Sequence, residues 1–120
     1  MPRDPRSQVP LTPVVLHILL ALADEERHGY AIAQEIERTT EGHVHMGPGT
    51  LYGSIQRMLT SGLIEETAGR RQRNGADDAR RRYYRATSFG RRVLGLELEH
   101  LNSVVRVARR KHLVGGAKPA

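Results

Sequence analysis

The chain has 120 residues with a formal net charge of +6, and this length allows one domain with a modest hydrophobic core but excludes two. It contains no cysteine, which excludes a disulfide framework and a thiolate metal site and fits a cytoplasmic location.

The basic residues are unevenly distributed along the chain. Seventeen of the 19 are arginine, the side chain best suited to bidentate contacts with phosphate and guanine. Residues 57–92 hold ten arginines and four acids, a surplus of six that equals the net charge of the whole chain. Such a surplus is typical of a nucleic-acid-binding surface. The alternative is a solvated basic face that serves solubility.

The N-terminal region predicts an arm followed by a buried helix. Residues 1–10 are polar and rich in proline, which favours a flexible arm. Thr12-Pro13 predicts the N-cap and first residue of a helix that extends to about Ala23. This helix is apolar nearly all round, so we expect it to be covered on more than one side. It is too short to cross a bilayer, and the acidic residues 24–26 argue against a secretory signal, so we expect no membrane partner.

A second helix is predicted from about Gly29 to Thr39, with an inner apolar stripe. Residues 41–47 then form a connector with at most a short strand at Val44. His43 and His45 in this connector are an alternative pair of metal ligands. Neither has a nearby cysteine or an obvious third ligand, so we predict no metal site and no cofactor.

The third predicted helix begins at Pro48 and ends before Gly62, a residue type that often follows the last helical turn. Its apolar stripe recurs at helical spacing: Leu51, Ile55, Met58 and Leu59. Another face is small and polar, with one cation: Thr50, Ser54, Arg57 and Ser61. Because a helix buried on all sides has no use for a polar face, we predict a DNA recognition helix. A nucleotide-binding loop is not predicted, because no lysine precedes Thr50.

Within this helix the candidate base contacts are Ser54, Arg57 and Gln56, whose side chains carry donors or acceptors for base edges. The N-terminus of a helix attracts phosphate through its free N–H groups, and Gly49 would let the backbone approach closely. Hydroxyl contacts there position a protein without carrying much sequence information. An alternative for Tyr52 is a place in the core.

Two strands are predicted after the third helix, over residues 63–68 and 81–86. Asn74-Gly75 in the intervening loop is a strong turn signal. Arginines crowd the base of this hairpin: Arg70, Arg71, Arg73, Arg80, Arg81 and Arg82. A basic hairpin after a helix with a polar face is typical of a winged helix-turn-helix fold.

A last helix is predicted from Ser88 to about His112, capped by Thr87, and residues 114–120 have the composition of a disordered tail. One face of this helix forms an apolar seam with heptad spacing: Leu94, Leu98, Leu101, Val105 and Ala108. We predict that this seam forms a homodimer together with Leu16 and Leu20 of the first helix. The alternative is a terminal helix that folds back on its own domain. The predicted fold is therefore mainly helical with a small β-hairpin, a winged helix-turn-helix domain over residues 11–87 and a dimerisation helix over 88–113.

Several motifs resemble the PadR family of bacterial transcriptional regulators, in that family's order and spacing, over about residues 11–112. They are His28-Gly29-Tyr30, Gly47-Pro48-Gly49-Thr50-Leu51-Tyr52, Ser61-Gly62-Leu63-Ile64-Glu65, Arg82-Tyr83-Tyr84-Arg85-Ala86-Thr87 and Gly90-Arg91. The single C-terminal helix resembles the branch with a short C-terminal region. The resemblance implies a homodimer that binds double-stranded DNA at a pseudo-palindromic operator and usually represses.

The resemblance also implies roles for individual residues. Tyr30, Thr50 and Tyr52 would approach the DNA, and the wing arginines would hold its flanks, although Asp77-Asp78 in the wing departs from the expected charge. A small-molecule effector would lie near the dimer interface, where Leu16, Leu20, Leu94 and Leu98 are candidates to line an apolar cleft. No catalytic residues are predicted. The alternative functions are a non-specific nucleoid-associated protein and a protein-interaction module.

Overall fold

The structure, a computed structural model, describes residues 3–68 and 81–115. It is mainly helical with a small antiparallel sheet, which confirms the predicted fold class. The elements in chain order are a 3-10 helix (Pro5–Gln8), α1 (Pro13–Ala21), β1 (Arg27–His28), α2 (Gly29–Thr39), α3 (Pro48–Thr60), β2 (Ile64–Thr67), β3 (Tyr83–Ala86) and α4 (Ser88–Arg110).

Side chains cap three of the four α-helices that the structure describes. The Thr12 hydroxyl accepts a hydrogen bond from the Val15 N–H (3.3 Å), and the Thr87 hydroxyl accepts one from Gly90 (2.9 Å). His28 caps α2 with its imidazole, whose Nδ1 lies 3.1 Å from the backbone nitrogen of Ala31. Each bond satisfies an N–H group that the first helical turn leaves without a partner. The predicted caps Thr12 and Thr87 are thus confirmed.

The sheet has three antiparallel strands in the order β1-β3-β2. Ile64 pairs with Ala86 at one end of the β2–β3 ladder, and His28 of β1 pairs with Tyr83. Sequence analysis missed β1, because two residues are too few to show an alternating pattern. The predicted connector before α3 is irregular, and Val44 forms no strand.

Within the predicted flexible arm, residues 3–10 lie against the domain. Asp4 caps the 3-10 helix by accepting a hydrogen bond from the Arg6 N–H (3.0 Å), and this short helix packs on α4. Val9 packs against the core. Proline-rich composition predicts flexibility, whereas the fixed φ of proline and the packing of the partly buried Val9 favour one conformation.

The core lies between the helices and one face of the sheet. Its largest fully buried side chains include Ile18, Leu19, Leu22, Ile32, Ile36, Ile55, Met58, Ile64 and Val93. The start of α4 approaches the end of α3 so closely that a Cβ on Gly90 would lie 2.0 Å from the carbonyl oxygen of Leu63. Gly62 ends α3 with a φ of +80°, a backbone conformation that glycine adopts without steric cost.

We predict that Gly90→Ala lowers the free energy of unfolding by about 2 kcal/mol or more, because the new methyl group must displace the backbone of Leu63. Gly95→Ala is the matched control in the same helix, since a Cβ there meets nothing within 4 Å. The control should gain about 0.5–1 kcal/mol from helix propensity. Urea unfolding at fixed protein concentration compares the two, and equal effects would contradict the prediction.

Candidate nucleic-acid interface

The start of α2, the outer face of α3 and strand β3 meet around a surface groove of about 550 Å³. Its lining includes five residues that the sequence predicted as DNA contacts: Tyr30, Tyr52, Gln56, Arg81 and Arg82. His28, Gly29 and Tyr84 complete it. The described residues of this lining supply aromatic, amide and cationic groups and no carboxylate, a chemistry that suits a phosphate-bearing ligand.

The two tyrosines project from the surface beside this groove. Tyr30 is 64% exposed and Tyr52 is 46% exposed, so the alternative that placed Tyr52 in the core is wrong. The ring of Tyr52 lies against the start of α2, where a Cβ on Gly29 would come within 2.5 Å of the Tyr52 hydroxyl oxygen. Gly29 is needed for this close approach because any larger residue would occupy the space of the ring.

His28 and Tyr84 line the groove, although sequence analysis did not list them as site residues. His28 lies edge-on to Tyr83, with 5.3 Å between the ring centroids, and its Nε2 is 2.9 Å from the guanidinium of Arg81. Burial raises the pKa of Tyr84, so its hydroxyl stays protonated at neutral pH. In the sequence, His28 stands two residues before Tyr30 and Tyr84 stands two residues after Arg82, and this proximity to predicted contacts was the signal available.

Arg57 and Gln56 are exposed on α3, but Ser54 is only 1% exposed. The Ser54 hydroxyl oxygen accepts a hydrogen bond from Nη2 of Arg57 (3.1 Å). The prediction that Ser54 contacts a base is therefore wrong, because a buried side chain cannot reach a groove edge. Helical spacing placed Ser54 on the polar stripe, but this position lies at the boundary where that stripe meets the core.

The first turn of α3 is exposed and carries no side-chain cap. Gly47 occupies the N-cap position without a capping side chain, and Gly49 and Thr50 follow in the first turn. The backbone N–H groups of this turn are thus available to an anion, which the helix dipole also favours. Of the wing arginines, Arg70, Arg71 and Arg73 lie outside the described residues, as do Arg80, the Asn74-Gly75 turn and the two wing aspartates.

The exposed arginines at the start of β3 partly face acids of the neighbouring strand. Arg82 lies 3.7 Å from Glu66, and Arg85 lies 2.7 Å from Glu65 across the β2–β3 ladder. His45 lies 2.5 Å from Glu37 near the connector before α3. In the described ranges, no group of three or more His, Asp or Glu side chains is arranged to hold a metal ion.

A model of the PadR-like family of transcriptional regulators matches residues 18–96, more than half of the chain. The chain belongs to this family. Its membership confirms the resemblance seen in the sequence and makes the protein a transcriptional regulator, a class that acts through DNA and consists of regulators rather than enzymes. Over the part of the chain with described coordinates, no helix is long and apolar enough to cross a membrane.

Individual relatives agree with this assignment. The chain is 37% identical over 93 residues to the transcriptional regulator Rv3488 of Mycobacterium tuberculosis, an alignment that covers 78% of this chain and 79% of that protein. A transcriptional regulator from Clostridium thermocellum is 25% identical with a TM-score of 0.66, over 88% of this chain and 90% of that one. A PadR family regulator from Clostridium difficile shares the fold with a TM-score of 0.68 at 21% identity, over 82% of this chain and 97% of that one.

We predict that Gly29→Ala moves the Tyr52 ring away from the start of α2 while changing the free energy of unfolding by less than about 1 kcal/mol. The ring is the free end of a side chain and can rotate, and alanine is the better helix former. Crystal structures of this variant and of Gly49→Ala would test this. Gly49 has nothing within 4 Å of an added Cβ, so the control should leave Tyr52 in place.

Proposed function

We propose that the protein is a homodimeric repressor that binds a pseudo-palindromic operator, with α3 of each protomer in the major groove. The observation that supports this most strongly is the groove in which α2, α3 and β3 bring five predicted contacts together. A single α-helix fits the major groove, and two helices related by a dimer axis read two half-sites.

Each part of the interface has a role that follows from its chemistry. The free N–H groups at Gly49 and Thr50 and the hydroxyls of Tyr30 and Tyr52 would bind backbone phosphates and set the orientation of the helix. The exposed side chains of Gln56 and Arg57 can each make bidentate contacts with a base, adenine for glutamine and guanine for arginine.

Ser54 has an indirect role in this proposal. Its hydroxyl accepts one hydrogen bond from the Arg57 guanidinium, which restricts the orientation of that side chain. Arginine carries five N–H donors, so most of them stay available for a base or a phosphate. Arg81 and Arg82 would contact phosphates that flank the helix, together with the wing arginines outside the described residues.

We predict that Arg57→Ala weakens operator binding by about 1–3 kcal/mol and affects random DNA less, because a base contact is lost. Arg82→Ala is the comparison variant. It should weaken both DNAs equally and lower the slope of log affinity against log salt by about 0.9, as expected for one phosphate contact. Salt-titrated fluorescence anisotropy measures both, and equal losses for Arg57→Ala on the two DNAs would exclude its base-reading role.

The dimer proposal is supported by the two unlike halves of α4. Its buried residues all lie between Gly90 and Glu97. Beyond Glu97 the apolar side chains stay exposed or half-buried in a single chain: Leu98, Leu101, Val104, Val105, Val107 and Ala108. An apolar stripe of this kind on a helix with heptad spacing is typical of a surface that a second helix covers.

Leu94 differs from the other predicted interface residues. It is 6% exposed and belongs to the core of its own chain, whereas Leu98 is 39% exposed. The prediction of Leu94 as an interface residue is therefore wrong, because the seam begins one turn later, where α4 leaves the core. Leu20 of α1 is also exposed and Leu16 is half-buried, so both stay in the proposed interface.

The burial of Glu97 is a second observation that supports the dimer proposal. This side chain is buried at the point where the packed half of α4 ends, and its Oε1 has no hydrogen-bond partner among the described residues. A buried carboxylate oxygen without a partner is costly, so a donor from a second chain or from ordered water would stabilise it.

We predict that Leu98→Asp shifts the protein from dimer to monomer, because a carboxylate would be buried in the apolar seam. Asn102→Asp is the matched control, since it adds the same charge to an exposed position of the same helix. Sedimentation velocity of both variants at equal concentration gives the mass. If Leu98→Asp stays dimeric, or if the unmodified protein is a monomer, the dimer proposal is wrong.

The proposed effector site lies beside the same interface. With Leu94 in the core, the remaining candidates to line an apolar cleft are Leu16, Leu20 and Leu98. We propose that a small apolar molecule bound there would alter the spacing of the two recognition helices and release the operator.

The alternative function, a non-specific DNA-coating protein, is separated by comparing affinities. The DNA upstream of the protein's own gene and a random duplex of equal length are the two probes. A ratio above about 10³ supports a sequence-specific regulator, because specific binding exceeds non-specific binding by at least this factor. A ratio near one with a steep salt slope would support the alternative and contradict the proposal.

A further inference from the structure

The N-terminal arm, residues 3–10, contacts the C-terminal end of α3 through Arg3. The guanidinium of Arg3 donates a hydrogen bond to the carbonyl oxygen of Ser61, at the end of α3. The same guanidinium lies over the ring of Phe89 in α4, with its carbon 5.7 Å from the ring centroid. Contacts with both helices hold the positive charge of Arg3 at the C-terminal end of α3.

Arm and helix together line a second surface groove, of about 490 Å³. Among the described residues, its lining is Arg3, Gln8, Gln56, Arg57, Thr60 and Ser61. These residues supply two guanidinium groups, two amides and two hydroxyls, and no carboxylate. The groups can all donate hydrogen bonds, so the groove matches an anionic ligand with several acceptor oxygens.

The second groove continues the candidate DNA interface. Gln56 lines both grooves, so its side chain joins the surface around Tyr30 and Tyr52 to the surface around Arg3. Arg57, the proposed base-reading residue, also lines the second groove. A duplex that contacts α3 would therefore extend past the C-terminal end of the helix and lie beside the arm.

The net positive charge of the arm also favours an anionic ligand. Asp4 is the only acid in residues 3–12, and its carboxylate pairs with Arg6 at 2.9 Å. The hydrogen bond from Arg6 lowers the pKa of Asp4, so Asp4 is ionised at physiological pH and offsets the charge of Arg6. Arg3 is not part of that pair, and one contact with Ser61 leaves it N–H donors for a ligand.

We propose that Arg3 binds a backbone phosphate of the operator at the edge of each half-site, with Gln8 and Thr60 beside it. The ordered arm thereby becomes part of the DNA-binding surface and extends the footprint beyond the recognition helix. This inference rests on the proposed placement of α3 in the major groove.

The test compares Arg3→Ala, Arg3→Lys and Arg6→Ala in the full-length protein, with the DNA upstream of its gene and a random duplex as probes. Arg3→Ala should weaken binding to both DNAs by the same factor, about tenfold for one charge-assisted contact. Its salt slope should fall by about 0.9, as for one lost phosphate contact. Arg3→Lys keeps the charge and should restore the slope.

Arg6→Ala is the matched control, because it removes an arginine of the same arm whose charge is already paired. Its affinity should change by less than about twofold. Phosphate-ethylation interference on the upstream DNA should show one interfering phosphate per half-site that disappears in Arg3→Ala and persists in Arg6→Ala.

The possible results separate this inference from the proposed function. An unchanged salt slope for Arg3→Ala overturns the inference, and so does a loss confined to the upstream DNA, which would indicate that Arg3 only stabilises the end of α3. If the unmodified protein shows no preference for the upstream DNA, the proposed sequence-specific function fails, while the salt slope of Arg3→Ala on random duplex still decides whether Arg3 contacts phosphate.

Discussion

β3 pairs with β1 on one side and with β2 on the other, and this pairing determines the position of the candidate interface. Through His28 and Tyr83, β3 holds the start of α2, and through Ile64 and Ala86 it holds the segment that leaves α3. One strand therefore connects the two helices of the helix-turn-helix with the base of the wing. The groove around Tyr52 exists because these three elements are held at one end of the sheet.

Close backbone approaches complete this arrangement. Gly29 makes room for the Tyr52 ring, and Gly90 lets the start of α4 pack against Leu63 at the end of α3. The same end of α3 receives Arg3 from the N-terminal arm. Both termini of α3 thus contact neighbouring elements, which restricts its orientation relative to the rest of the domain.

The exposed arginines differ in the group that each already contacts within the chain. Arg85 lies 2.7 Å from Glu65 and Arg6 lies 2.9 Å from Asp4, so part of each charge is neutralised within the chain, whereas the contact of Arg82 with Glu66 is longer, at 3.7 Å. The guanidinium of Arg57 instead contacts the neutral hydroxyl of Ser54 and keeps its full charge. Counting arginines along the sequence therefore overstates the number available to DNA, and the positions of neighbouring acids identify which ones remain.

The sequence by itself determined the four α-helices, the caps Thr12 and Thr87, and the family. Periodicity, proline and glycine positions and threonine caps are local signals, and they identified α2 with its bounds and the start of α3. The signals failed where the outcome depended on distant contacts. The two-residue strand β1 exists only through pairing with β3, the arm packs on α4 and on the end of α3, and Ser54 and Leu94 are buried by the packing of the domain. Burial and strand pairing depend on which surfaces meet, so only the tertiary structure decided which polar residues of α3 face outward and which apolar residues of α4 are left uncovered.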